Sequence, residues 1–313
     1  MRLAIIDCGT NTFHLLIVDT SKEVKHHKIF DTRVPVKLGE GAINSGFIAD
    51  RPFERGIAAL HHFKKSIIEH KADKVIAFAT SAVRDASNGK EFVQKVKREL
   101  EIELEIIDGN READLIYLGN RQALRLNESI SLIVDIGGGS TEFILANNKK
   151  ISWKHSFNLG AARLLERFHP LSPISEKEKI EIHNYLRENL EPLFEVINKY
   201  KPTELIGSSG AFDSVVEMIH GELGGEELTE EKTGYSIDIK KYYEVSDLVK
   251  NASLEQRKLI KGLTPMRFDM IVVSCLLIDF VLEEFKIDSM RVSTFSLKEG
   301  ALIDYISREG PTK

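Results

Sequence analysis

Two cysteines in 313 residues, Cys8 and Cys275, leave no room for a disulfide framework or a thiolate metal centre. Both lie in apolar stretches far apart in the chain, as suits a reducing, cytoplasmic setting. No hydrophobic run reaches the roughly 20 residues that a bilayer-spanning helix requires. The longest, MIVVSCLLIDFVL at 270–282, carries Asp279 and reads as a buried core helix. The amino terminus MRLAIID meets an aspartate at position 7, so it has no signal-peptide core, and no membrane partner is expected. An excess of positive charge is missing as well. Lys and Arg number 43 against 48 Asp and Glu, a formal net charge of −5. Such a balance does not suggest a nucleic-acid partner, and any site for an anionic substrate needs local positive charge to overcome the overall repulsion. Low-complexity tracts are absent too. What remains is 42% hydrophobic and 29% charged, enough to build real cores, and long enough for two domains.

The first third alternates strand and helix patterns. RLAIID and FHLLIVD read as strands around a short turn, with VKHHKIF as a third. Residues 52–70 have helical periodicity, KVIAFAT (74–80) is a short strand, KEFVQKVKREL a helix and ELEIID a strand. Residues 110–124 form a helix opened by Asn110 as N-cap. The pattern then restarts. SLIVDI, TEFILAN and ISWKHSFN are strands, GAARLLERF is a helix, and EKEKIEIHNYLRENLEPLFEVINKY is another. TELIGSSG is a strand entering a Gly/Ser loop, followed by the helix AFDSVVEMIH. The acidic, Gly-rich segment 224–234 reads as an exposed loop. Beyond it the chain is mostly helical, with SMRVST as a late strand and SLKEGALIDYIS as a last helix. This order predicts an α/β fold.

Two stretches match at an offset of 128 residues, LAIIDCGTNTFHLLIVD and SLIVDIGGGSTEFILAN. Asp7 meets Asp135, Gly9 meets Gly137, Thr12 meets Ser140 and Leu15 meets Phe143. Each reads as strand, Asp-x-Gly, small polar turn, strand. A turn of Gly, Ser and Thr exposes backbone N–H groups with little side-chain bulk, the kind of concavity that binds phosphate. A tight hairpin that simply needs glycine is the plainer alternative. Asp135 ends one strand and Glu142 begins the next, so the turn returns them to one neighbourhood. Hard cations such as Mg²⁺ take oxygen ligands and often use one or two carboxylates plus substrate phosphate; otherwise Glu142 is a solvated surface residue. In the first copy His14 stands in the place of Glu142, so the halves are not equivalent.

These motifs resemble the exopolyphosphatase/guanosine pentaphosphate phosphatase family (Ppx/GppA) of the actin-like superfamily. AIIDCGTNTFHLLIVD and VDIGGGSTE look like its two phosphate motifs. FATSAVRDASN (78–88) and NREADLIYLG (110–119) look like its arginine and glutamate segments, and NLGAARLLERF and VSTFSLKEGAL like two more. The resemblance implies two actin-like, RNase H-like α/β domains with a catalytic cleft between them. They would be 1–124, with the helix near 297–313 packing back on it, and 125–296, with a hinge near 119–130. It implies a phosphohydrolase that uses Mg²⁺ or Mn²⁺ to release terminal phosphate from polyphosphate or guanosine pentaphosphate. By position, Glu112 matches the catalytic glutamate that activates water, and Asp135 and Glu142 the acidic pair supporting metal and water. Asp7, Gly9, Thr10 and Asn11 match the first phosphate loop, Gly137, Gly138, Gly139, Ser140 and Thr141 the second, and Arg84 an arginine facing phosphate.

On their own, Arg84 fits a surface salt bridge to Asp85 or a helix-end contact, and Glu112 a favourable charge in a helix's first turn. The chain departs from the family at 205–218. There Ser208, Ser209 and Gly210 stand where a Gly-Gly-Thr loop is usual, which bears on nucleoside recognition; these three and Arg111 are further candidate substrate contacts. The helical module of longer relatives is expected to be absent after LKEGALIDYISREG. The apolar C-terminal half offers surface for a homodimer. Two other classes share the phosphate turns: an actin-like ATP-dependent kinase of a small substrate, and a non-catalytic sensor of polyphosphate or alarmone.

Overall fold

A computed structural model describes residues 1–21, 27–224, 228–229 and 231–309. The chain divides into two compact units, Met1–Gly119 with Leu297–Lys313, and Asn120–Ser296. Parts of three expected segments, 24–26 of VKHHKIF, 225–227 and 230 of the acidic loop, and 310–313 of the helix expected near 297–313, lie outside the described residues.

In the first unit β1 (Arg2–Cys8), β2 (Thr12–Asp19), β3 (His27–Pro35), β4 (Lys74–Ala79) and β5 (Leu104–Ile106) form one sheet in the order β3-β2-β1-β4-β5. The β1, β2 and β3 strands are antiparallel neighbours, whereas β4 and β5 run parallel to β1. β1 is apolar along nearly its whole length because both its faces are covered. Ala4, Ile6 and Cys8 pack with Phe13, Leu15 and Ile17 of β2 against Ile57, Leu60 and Phe63 of the helix Asp50–Glu69 and Phe92 of the helix Gly89–Leu100. Leu3 and Ile5, on the other face, are equally buried. The last helix, Leu297–Glu309, belongs to this unit. It lies so close to the helix Gly109–Ala123 that a Cβ at Gly300 would sit 1.7 Å from the Leu115 carbonyl oxygen. The cap of Gly109–Ala123 is Asp108, whose Oδ1 accepts the Arg111 N–H at 2.7 Å, not Asn110 as the pattern suggests.

In the second unit β6 (Ser131–Ile136), β7 (Thr141–Ala146), β8 (Ile151–Phe157), β9 (Leu205–Ser208), β10 (Gly234–Ile237) and β11 (Met290–Ser293) form a sheet in the order β10-β11-β9-β6-β7-β8. Taken from the β8 end, its first five strands repeat the order and directions of the first sheet. β10 is an added antiparallel edge strand that the sequence pattern misses. The chain is thus an α/β protein of two mixed sheets with the actin-like fold. The long expected helix is two, Glu176–Asn189 and Glu191–Tyr200. The break falls at Leu190, just before Pro192, which suits a first helical turn and not an interior. The apolar run is the core helix Ile271–Phe285. Its Asp279 is matched by Tyr242 (2.6 Å), Ser246 (3.0 Å) and Lys250 (2.7 Å), as a buried charge requires. Among the described residues no helix is long and apolar enough to cross a membrane.

Candidate functional site

The two glycine turns share one construction. In the first, the Gly9 N–H bonds the Thr12 carbonyl at 3.2 Å. In the second, the Gly137 N–H bonds the Ser140 carbonyl at 3.0 Å, at the same 128-residue offset. Glycine is favoured at both positions, because a Cβ would meet those carbonyl oxygens at 2.9 Å from Gly9 and 3.0 Å from Gly137, closer than an ordinary contact. Both turns are braced by the segment that follows the third strand of their sheet. In the first unit, Val36 and Lys37 donate to the Asn11 carbonyl and Gly39 to that of Thr10. In the second, Ala161 donates to Gly137, and Ala162 and Arg163 to Gly138. With their carbonyls engaged, Thr10 and Asn11, and likewise Gly138, Gly139 and Ser140, keep N–H groups that make no hydrogen bond among the described residues. The Asn11 amide nitrogen and the Thr12 hydroxyl are buried and unpartnered too. Buried donors without acceptors are costly unless a ligand supplies the acceptor. Thr141 is different: its hydroxyl donates to the Leu159 carbonyl at 3.1 Å and ties down the end of the turn.

Asp135 and Glu142 are direct partners in the β6–β7 ladder, so their side chains emerge side by side on one face. Glu142 is 1% exposed and accepts the Ser156 hydroxyl at 2.6 Å; it is no solvated surface residue. The same row continues through Ser156 of β8 on one side and Ser208 of β9 on the other. Among the described residues no group of three or more His, Cys, Asp or Glu stands ready to hold a metal ion. Two adjacent carboxylates fit an oxygen-seeking divalent ion that fills its shell with water and phosphate, and they do not form a closed cage.

The matching row of the first unit runs Arg33–His14–Asp7–Phe78. Burial pushes the Asp7 carboxyl up to about 7, against the pull of Lys298 and with a further push from Glu299. Nearby in sequence space, but on different elements, Glu112 and Arg84 meet. Glu112 is 7% exposed, and its Oε2 accepts from Arg84 Nη1 at 3.0 Å. Arg84 also donates to the Ile107 carbonyl at 3.2 Å and to Asp85 at 3.3 Å. The Asp85 contact therefore exists, as one of several. Arg111 turns to Asp304 of the last helix, a tie inside the first unit.

The 208–210 loop is not an open donor surface. Ser208 is fully buried; it receives the Asn120 amide at 3.2 Å and donates to the Phe295 carbonyl at 3.4 Å. The hydroxyl thus seams the sheet to its neighbouring segment. Ser209 has φ 74° and ψ 174°, a backbone region that is essentially glycine's. Gly210 lies under Arg267, since a Cβ there would be 1.7 Å from the guanidinium. Sequence reasoning passed over Arg267, Ser156, Gly160 and Arg163. Each acts through a partner distant in sequence, and only the motif NLGAARLLERF hinted at the last two.

Residues 17–309 match the Ppx/GppA phosphatase family. The chain belongs to that family. The chain is 31% identical, over 98% of its length, to the bifunctional 3-dehydroquinate synthase/phosphatase of Fusobacterium nucleatum. The chain spans 47% of that protein, about half its length. It is 26% identical to exopolyphosphatase 1 of Mycobacterium tuberculosis, covering 99% of this chain and 89% of the relative. The crystal structure of an exopolyphosphatase from Cytophaga hutchinsonii superposes with a TM-score of 0.94 at 40% identity, over 100% of this chain and 99% of that one.

Proposed function

We propose that this Ppx/GppA member is a phosphoanhydride hydrolase that releases terminal orthophosphate from inorganic polyphosphate or guanosine pentaphosphate. The observation that carries the reading is the second hairpin: a ladder-paired Asp135 and Glu142 at the root of a turn whose carbonyls are engaged and whose Gly138, Gly139 and Ser140 N–H groups are not. Phosphoryl transfer asks mainly for charge neutralisation and an aligned nucleophile. The N–H groups of Thr10, Asn11, Gly138, Gly139 and Ser140 bind phosphate oxygens, with the Asn11 amide as a further donor. Glu112 orients a water and accepts its proton as the water oxygen attacks the terminal phosphorus and the anhydride P–O bond breaks. Arg84, bonded to Glu112, fixes that carboxylate's direction. Asp135 and Glu142 would hold Mg²⁺ or Mn²⁺, which when bound supplies Lewis-acid neutralisation of phosphate charge. The Cytophaga and mycobacterial relatives named as exopolyphosphatases support the substrate class.

The test is orthophosphate release from long polyphosphate, tripolyphosphate, guanosine pentaphosphate and nucleoside triphosphates, with and without an acceptor sugar and with and without chelator. Release from polyphosphate or guanosine pentaphosphate that needs no acceptor and stops on chelation is expected. Silence on all four substrates, or release only with an acceptor, would overturn the reading.

A further inference from the structure

The geometry points to Arg163, with Gly160 before it, as the positioning device of the second phosphate turn. Neither residue belongs to the turn, and the claim rests on the phosphate-binding reading given above.

Across a planar trans peptide, a carbonyl and the N–H that follows it point in opposite directions. The direction of each donor in the turn is therefore set by what grips the carbonyl before it. The Gly137 carbonyl is held by the Ala161 N–H at 2.9 Å, which turns the Gly138 N–H the other way. The Gly138 carbonyl is held by the N–H groups of Ala162 (2.8 Å) and Arg163 (3.2 Å), which turns out the Gly139 N–H. The Gly139 carbonyl is held by Arg163 Nε at 3.0 Å and more loosely by the Gly160 N–H at 3.4 Å. That last grip orients the Ser140 N–H, and its shorter bond comes from a side chain. Three successive peptides are thus aimed by one short segment, and Arg163 contributes twice, through backbone and guanidinium.

Gly160 makes the approach possible. A Cβ at this position would lie 2.4 Å from the Gly138 carbonyl carbon and oxygen and from the Gly139 nitrogen. Three glycines in sequence have little conformational preference of their own, so an external clamp is what makes their donors a preorganised anion cradle. The first unit has a parallel arrangement. Arg55 holds the Val36 and Lys37 carbonyls at 2.8 and 3.1 Å, in the segment that braces the Asn11 carbonyl.

The experiment compares wild type, Arg163→Met, Arg163→Lys and Arg167→Met in steady-state orthophosphate release from tripolyphosphate with Mg²⁺, alongside urea unfolding. Arg167 sits on the same helix but stacks on Tyr185, so its substitution reports what loosening that helix does by itself. Arg163→Met is expected to raise KM roughly tenfold to a hundredfold, the scale of one lost charge-assisted hydrogen bond, with a smaller fall in kcat. Arg163→Lys should recover part of this, since an ammonium can still reach a carbonyl. Arg167→Met should keep KM within about twofold even where its unfolding midpoint drops. A folded Arg163→Met with wild-type KM would overturn the inference while leaving the hydrolase reading intact. So would equal KM changes in the Arg163 and Arg167 variants. A wild-type protein that releases nothing from tripolyphosphate, long polyphosphate or guanosine pentaphosphate would overturn both.

Discussion

Asp7→Asn should make the protein more stable, and the gain should depend on pH in a defined way. Asp7 sits at the end of β1 opposite His14 in the ladder, and its carboxyl is raised from 3.8 to about 7, first of all by burial. The folded state therefore holds a proton between those limits that the unfolded chain has released. Stability falls as pH rises wherever the folded state binds more protons. The contribution is intact below about pH 4, declines by about 1.4 kcal/mol per pH unit through the window, and is fully lost above pH 7. The shift corresponds to about 4 kcal/mol, an upper bound because Asp7 keeps some exposure. Asparagine has the shape of the protonated acid and does not ionise. Urea unfolding of both proteins from pH 4 to 8, without metal, should give curves that nearly coincide at pH 4 and separate progressively, with the variant ahead at pH 8. A difference independent of pH, or a variant less stable at pH 8, would refute the assignment of a buried, proton-retaining carboxyl. Lys298 and Glu299 act on the same group in opposite senses, so Lys298→Met should move the window to higher pH.

Glu112→Gln preserves size and can still accept from Arg84, but lacks a basic oxygen. Turnover should fall by about 10²–10⁴ with the thermal midpoint little changed, and near wild-type phosphate release would exclude Glu112 as the base. Ser209→Gly relieves a backbone conformation that costs a non-glycine residue about 1–3 kcal/mol, partly offset by about 0.4–1 kcal/mol of added unfolded-state entropy. A net rise in the urea midpoint is expected, and a fall would show that the Ser209 side chain makes a compensating contact.

The sequence showed the hairpins because their rule is local. Asp-x-Gly followed by a small polar turn and an apolar run needs no knowledge of the rest of the chain, and the 128-residue repeat holds down to the bond that closes each turn. Asp135 and Glu142 were legible for the same reason, since an antiparallel ladder through a short turn brings its ends together. Residues that work at a distance were not legible. Asn110 looked like a cap, but Asp108 two positions earlier has the geometry. The partners of Ser208, the Asn120 amide and the Phe295 carbonyl, lie 88 and 87 residues away and leave no local trace. β10 is four residues long, and its pairing with β11 across more than fifty residues decides its state. Nor does the sequence reveal which carbonyls Arg163 will meet, because that contact exists only once β8 has been laid beside β7.

The helix that begins at Leu297 belongs to the unit that begins at Met1, while the whole of Asn120–Ser296 intervenes. On the ribosome, the chain that starts the first unit therefore emerges long before the helix that completes it. Until that helix arrives, the backbone of Leu115 lacks the glycine surface it finally packs against. The second unit, contiguous in sequence, has all its strands available earlier. The order of synthesis is thus reversed in the order of completion: the half translated first is the half finished last.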